Sequence, residues 1–480
     1  MKNRRVTLFI MDGARPDVFA FLADRGDLPN ICRYVLERGS SVPATTVFPS
    51  TTGVAYLPFL TGCYPGTCDV PGIRWLDRAR YTGHWIRDRR HVRNYCGPQG
   101  GLLNSDLAPH LKSIFDFEPD SVALCTPFTR GLAPGRERSK VNRLVWGGLA
   151  HYTGAYMLVD RLVGRAMRRV AKERPRFAFV VLPGIDGTTH FNDPWHPEVF
   201  RAYRQVDEIV GQYHADGAMD EDHLTLLVSD HGLSKVDWHA DITLALEHRG
   251  VPVLRHPALW RPNPLVMVAV SGNGSAQVYL RPGVIRGERY DISAIESGSV
   301  PKIPADLVDF LLSVDGVALV AGMERGEVVV RSRAGQARLA EVDDRHIRYS
   351  PDTADVLDLS ARAQTFTERQ WLEQSLDRAY PDAPAQLTQL FRSPRTGELA
   401  VVAEPGVDLR LEWEIPEHKS GHGSLTYDHM RCLVVADRPL LGPVRTVDIF
   451  PLVLQHLGYE IPAGIDGVTP RIESEKREVA

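Results

Sequence analysis

Val6-Thr7-Leu8-Phe9-Ile10-Met11 is a short run of mostly apolar and β-branched side chains that stops abruptly at Asp12. A strand with one wet face alternates apolar and polar residues. A run without that alternation belongs to a strand covered on both faces, as in a parallel sheet packed between helices. Phe177–Leu182 has the same character and stops at Pro183-Gly184-Ile185-Asp186. Leu224–Val228 stops at Ser229-Asp230-His231-Gly232, and Cys432–Val435 is a further such run. Helical patterns lie between them, over Asp17–Arg38, Val159–Lys172 and Pro197–Tyr213. The alternation predicts an α/β fold with a mostly parallel central sheet and helices on both faces.

The stretch 251–385 reads differently. Ala276–Leu280, Gly316–Val320 and Glu327–Arg331 are short strands separated by Gly/Pro turns, with helices expected over Pro304–Ser313 and Thr367–Asp377. The expected organisation is a discontinuous main core, 1–250 and 386–475, carrying a smaller inserted α+β cap over 251–385. The core resumes near Gly397–Ala403 and closes with a helix over Val447–Leu457. A length of 480 residues fits this, being too long for one minimal domain.

With 43% hydrophobic and 24% charged residues the chain can bury a large core. Its formal net charge of −4 gives no reason to expect a nucleic-acid polymer or a membrane as a bulk partner. Two arginine-rich stretches, Asp77–Arg93 and Arg161–Arg176, are local features. They read as solvated faces, with guidance of a polyanionic substrate as the sharper alternative. No segment is long and apolar enough to span a bilayer. The basic start Met1–Arg5 is followed by too short an apolar run for a signal peptide, so a cytoplasmic location is expected. The six cysteines form no CxxC pair and read as free thiols.

Ligands of open parallel sheets bind outside the carboxyl ends of the strands. Asp12, Asp186 and Asp230 all close strands at that edge, and histidines follow two of them, in Asp186-Gly187-Thr188-Thr189-His190 and in Asp230-His231. Carboxylate with imidazole suits Zn²⁺ or Mn²⁺. Gly421-His422-Gly423 sets a further histidine between glycines, which permit close backbone approach or simply a flexible loop. Ser50-Thr51-Thr52-Gly53 leads into a segment, Val54–Leu60, expected to be a helix kinked at Pro58. Such hydroxyls are ordinarily N-caps. A hydroxyl at a helix start is also where a nucleophile attacking an anion would stand, given a base or metal to activate it.

These pieces, in this order, resemble the nucleotide pyrophosphatase/phosphodiesterase branch of the alkaline phosphatase superfamily. They are Asp12, Thr52 through Thr61-Gly62-Cys63-Tyr64-Pro65, Asp186/His190, Asp230-His231-Gly232 and Gly421-His422-Gly423. The resemblance implies an alkaline-phosphatase-like fold and a site of two divalent ions, zinc or alternatively manganese. Asp186, His190 and His422 would hold one ion. Asp12, Asp230, His231 and the nucleophile's oxygen would hold the other. Counting nine residues back from Thr61, as the family's spacing requires, gives Thr52 as nucleophile, with Thr51 next in line. The implied reaction is hydrolysis of a small phosphate ester, a phosphodiester or nucleotide pyrophosphate, through a phosphothreonine.

Two departures bear on the substrate. The family's Asn after the T-G-x-x-P turn is missing from Val70–Trp75, where Arg74 stands instead and could contact a phosphoryl oxygen. That leaves a phosphomonoesterase or phosphonate hydrolase as the alternative. Cys63-Tyr64-Pro65-Gly66-Thr67 starts like a sulfatase nucleophile motif and fails at Thr67. A metal- or phosphate-binding module without catalysis is the reading from another class.

Overall fold

The fold is that of a computed structural model, which describes residues 4–140, 142–255, 263–410 and 415–473. Met1–Asn3, part of the expected basic start, the end of the chain from 474, and 256–262 of the expected insertion lie outside the described residues.

The first run forms β1 (Arg5–Met11), with all seven residues buried. Its sheet also contains β2 (Ser40–Thr45), β3 (Ser121–Leu124), β4 (Phe177–Leu182), β5 (His223–Val228), β6 (Arg431–Ala436) and β7 (Val444–Arg445). They lie in the order β7-β2-β6-β5-β1-β4-β3. β1 pairs in parallel with both β4 and β5, as do β3 with β4 and β2 with β7. β6 runs antiparallel to both of its neighbours, so the sheet is mostly parallel. Thr7 and Phe9 meet Tyr213 of the helix Pro197–Ala215, the first by a hydrogen bond and the second ring to ring. Alternation turns Val6, Leu8 and Ile10 to the other face, and these too are fully buried. Helix cover on both faces is what the unbroken apolar run required.

The helical pattern over Asp17–Arg38 is divided. Helices Pro16–Asp24 and Pro29–Tyr34 are followed by a 3-10 turn, Leu36–Arg38. Gly26, at φ +75°, stops the first helix and Pro29 starts the second. The expected helix over Val54–Leu60 is shorter, Leu57–Thr61, with Pro58 in its first turn. Proline there loses no hydrogen bond, so it starts the helix rather than kinking it. Thr52 therefore lies in the turn before the helix and is not its cap.

Among the described residues the second sheet has nine strands, antiparallel but for the pair Val253–Leu254 and Val266–Ser271. Leu399–Ala403 lies in its middle, paired on one side with Ser275–Leu280 and on the other with Val317–Glu324. This corrects the expectation that the main fold resumes at Gly397–Ala403. Helix Ala383–Arg392, across which the expected boundary falls, packs its Leu387, Leu390 and Phe391 on this sheet as well. Five apolar residues such as Leu399–Ala403 look alike in either sheet, because an apolar run reports burial and not the partner strand. Nor is the second sheet the smaller in strand number.

Candidate metal centre

Strand register assembles the site. Met11 pairs with Leu182 and Ile10 with Val228, so Asp12, Asp186 and Asp230 leave three adjacent strands at one edge. Asp186 sits on a short helix, Gly184–Thr189, and its Oδ2 lies 3.2 Å from Nε2 of His190, four residues on. Gly184 N donates to Asp160 Oδ1 at 3.0 Å, which ties this helix to the long helix Tyr156–Glu173. His422 arrives from the chain after Ser420–Gly421 and stacks on His231 with ring centroids 3.9 Å apart. Gly423, at φ +94°, is required beside it, since a Cβ there would collide with the Ser271 carbonyl oxygen.

Ligand atoms of Asp186, His190 and His422 all lie within 4.8 Å of one another, and the same holds for Asp12, Asp186 and His231. Asp186 thus stands between the two groups. His231 Nε2 is 3.5 Å from Asp12 Oδ1 and 3.4 Å from Asp230 Oδ2. Thr52 Oγ1 lies 2.9 Å from His231 Nε2 and 3.3 Å from Asp12 Oδ1. Thr51, by contrast, has a fully buried hydroxyl with no hydrogen-bond partner among the described residues. All seven residues expected to surround the ions are therefore brought together. Arg74 is not joined to them: it is buried with Nη1 donating to the Val270 carbonyl at 2.8 Å. Trp75 is core, held between Arg93 and Arg395, with Nε1 donating to Tyr95. Three arginines of the first basic stretch are in ion pairs, Arg78 with Glu398, Arg80 with Asp77 and Arg93 with Asp106.

The donor set fits divalent cations on two counts. His190 Nδ1 meets the Ser420 carbonyl at 2.7 Å, His422 Nδ1 that of Ser50 at 3.0 Å, and His231 Nδ1 that of Gly232 at 3.0 Å. A carbonyl only accepts, so each Nδ1 carries a proton, and Nε2 is the ring atom left facing the carboxylates and open to a cation. Secondly, Asp186 Oδ1 and Asp230 Oδ2 are buried without hydrogen-bond partners among the described residues. Buried carboxylate oxygens left bare are costly unless a cation or a proton meets them.

The protonation pattern carries the same strain. Burial, then Asp230 and Asp186, push Asp12 well up. Burial, then Asp186, push Asp230 up to about 7. Burial also acts to raise Asp186, but His190, His422 and His231 outweigh it and its carboxyl is held down. His190 rises to about 9, because Asp186 outweighs the burial that opposes its charge. Burial and the neighbouring His231 hold His422 well below its usual range.

Three contributors escaped the sequence reading. Tyr56 donates its phenol to Asp12 Oδ2 at 2.5 Å, and its signal was the four-residue spacing from Thr52. Asp160 carried none, being one acid in a helix. His418 stacks on His190 at 4.0 Å and is driven down to about 2 by burial and His190; it sits outside every motif.

Residues 6–280 match the family model described as type I phosphodiesterase / nucleotide pyrophosphatase. No curated protein sequence matches the chain. Among solved structures, phosphonoacetate hydrolase from Sinorhizobium meliloti, in complex with phosphonoformate, superposes with a TM-score of 0.55 at 16% identity, covering 95% of this chain and 96% of that one. Murine ectonucleotide pyrophosphatase / phosphodiesterase 5 gives 0.53 at 12% identity, covering 96% of each chain. The human protein of that name gives 0.57 at 12%, covering 97% of each. At such identities these likenesses establish an alkaline-phosphatase-like fold and not an activity. The family match spans the first of the strand-edge aspartates through the last and supports phosphoester hydrolysis on this scaffold. The chain belongs to the type I phosphodiesterase / nucleotide pyrophosphatase family.

Proposed function

We propose that the protein is a two-metal hydrolase of small phosphate esters, acting on phosphodiester or nucleotide pyrophosphate bonds through a phosphothreonine at Thr52. The observation that carries this reading is the position of Thr52 Oγ1, in reach of both His231 Nε2 and Asp12 Oδ1. Asp186, His190 and His422 would hold one ion; Asp12, Asp230 and His231, with Thr52, would hold the other. Zinc suits the mixed imidazole and carboxylate set, and manganese is the alternative. When bound, the ions would supply charge that lowers the pKa of the threonine hydroxyl and offsets charge on the phosphoryl group.

The remaining steps belong to the chain's own atoms. Thr52 is half-buried, so its hydroxyl can meet substrate and release its proton to solvent, whereas the Thr51 hydroxyl is sealed. Thr52 Oγ1 forms a bond to phosphorus as the bond to the leaving oxygen breaks, and the leaving alcohol or nucleotide takes up a proton. Water then attacks the same phosphorus, Thr52 Oγ1 departs and is reprotonated, and a phosphate or its monoester leaves. Asp12 and His231 keep Oγ1 pointed at the ion side throughout. The murine neighbour, described as inactive when one threonine becomes alanine and holding AMP, supports a threonine nucleophile and a nucleotide-sized substrate. The phosphonoacetate hydrolase complexes favour a second reading, cleavage of a phosphonate carbon–phosphorus bond on the same residues.

Metal removal tests the proposal. Exhaustively chelated protein should be inactive, and Zn²⁺ or Mn²⁺ should restore turnover of an aryl phosphodiester and a nucleotide pyrophosphate. Parallel assays on an aryl monoester and on phosphonoacetate separate the readings. Full activity after metal removal, or no turnover of any of the four when reloaded, would sink the two-metal hydrolase.

A further inference from the structure

The second arginine stretch finds no role in the site, and the structure gives it a setting that sequence could not. Tyr156–Glu173 is an eighteen-residue helix. Val159, Val163, Met167 and Val170 are buried on its inner face. Arg161, Arg165, Arg168, Arg169 and Lys172 are all exposed on the outer face. Their spacing places them in one stripe. Among the described residues none of the five is in an ion pair, although the chain as a whole carries a net charge of −4. Directly before the stripe, two consecutive helical segments, Asn142–Gly147 and Gly148–Thr153, present large apolar side chains to solvent. Leu144 is 58% exposed, Val145 56%, Leu149 50% and Tyr152 67%. Single exposed apolar residues need no explanation, but four within nine positions form a patch.

The same segment borders the candidate metal centre. His151, half-buried on its inner side, has its ring 6.2 Å from that of His418, which in turn stacks on His190. Helix Tyr156–Glu173 is the one whose Asp160 anchors the Asp186-bearing helix. Whatever binds the outer face is therefore held close to the candidate metal centre.

We infer that this surface docks the enzyme on an anionic membrane, with Leu144, Val145, Leu149 and Tyr152 entering the headgroup region and the cationic stripe lying over acidic headgroups. Charge complementarity and the apolar patch together select this occupant. Interfacial surfaces combine basic with Leu and aromatic side chains. Here the helix supplies the cations, its own apolar face being in the core, and the two preceding segments supply the apolar side chains. A nucleic acid would engage the cations and leave the apolar patch without a partner. A second copy meeting this face by two-fold symmetry would bring one cationic stripe against the other. The net charge argued against a membrane only in bulk; the separation of charge onto one helix reverses that locally. The docking does not depend on the phosphoryl chemistry proposed above.

The test is sedimentation of the full chain with vesicles of phosphatidylcholine alone and of phosphatidylcholine mixed with phosphatidylglycerol. Wild type should partition onto the anionic vesicles, weaken with salt, and ignore the neutral ones. Each cation near such a surface contributes about fivefold, so the combined variant Arg165→Gln, Arg168→Gln, Arg169→Gln should bind about a hundredfold more weakly. Leu149→Ser with Tyr152→Ser should lose about tenfold or more through apolar burial alone. Thermal melts of both variants serve as the folding control. The inference is overturned if wild type fails to sediment with anionic vesicles, binds neutral ones equally, or binds unchanged in either folded variant. It is equally overturned if the stripe proves to serve an oligonucleotide or a concentration-dependent dimer in the absence of vesicle binding.

Discussion

Asp12 divides its two oxygens between different duties. Oδ1 faces Thr52 and His231, while Oδ2 accepts the Tyr56 phenol at 2.5 Å. The phenol fixes the rotation of the carboxylate, so that Oδ1 stays turned toward Thr52. Tyr56→Phe keeps the ring, which packs edge-on against Phe179, and removes only that hydrogen bond. Hydrogen-bond partners of metal ligands are worth about 10–100-fold in affinity or activity. Tyr56→Phe should therefore lower kcat, raise the metal dissociation constant, or both, within that range, with little change in Tm. Unaltered kcat and metal affinity would show that Asp12 is positioned by the strand alone. At this scale the sequence was most informative. Asp12, Asp186 and Asp230 were legible because they close strands, His190 and His231 because they follow two of these, and His422 because it sits between glycines. Tyr56, Asp160 and His418 act through contacts that only the folded chain creates.

Among the elements, the short helix Gly184–Thr189 is the critical mount, since Asp186 lies in it and His190 caps it. Gly187 faces the ring of Tyr156 so closely that a Cβ would stand 2.1 Å from a ring carbon. Gly187→Ala must push this helix away from Tyr156–Glu173, moving Asp186 against His190. Overpacking of this kind costs about 1–3 kcal/mol. The expected result is a lowered Tm and a loss of activity larger than the loss of folded protein accounts for. A variant with wild-type Tm and turnover would mean that the contact relaxes freely. Periodicity was a sound guide to the long helices Tyr156–Glu173 and Pro197–Ala215 and to every strand of the first sheet it named. It failed at Val54–Leu60, where the turn at Thr52–Tyr56 is held by contacts of Thr52 and Tyr56 with Asp12 and His231 that no local propensity reports. It failed again over Asp17–Arg38, where Gly26 and Pro29 outweigh a continuous apolar pattern.

For the molecule as a whole, the site lies at the carboxyl edge of a mostly parallel sheet, where the first apolar run and its terminal aspartate placed it. The second sheet reaches that edge through the chain around Gly272 and Gly423, where the Asn273–His422 bridge joins the two. Its extent was illegible because a strand's sheet partner is a long-range fact, and Leu399–Ala403 could serve either sheet. The Arg161–Lys172 stripe became informative only when the apolar patch was seen beside it in space. The proposed mechanism requires Thr52 Oγ1 to receive the group transferred from the substrate. Rapid acid quenching during turnover of a nucleotide pyrophosphate, followed by peptide mass spectrometry, reads this directly. The expected result is a phosphoryl or nucleotidyl adduct on Thr52, absent without metal and absent from Thr52→Ala. An adduct on Thr51 or another residue, or turnover by Thr52→Ala at the wild-type rate, would contradict it.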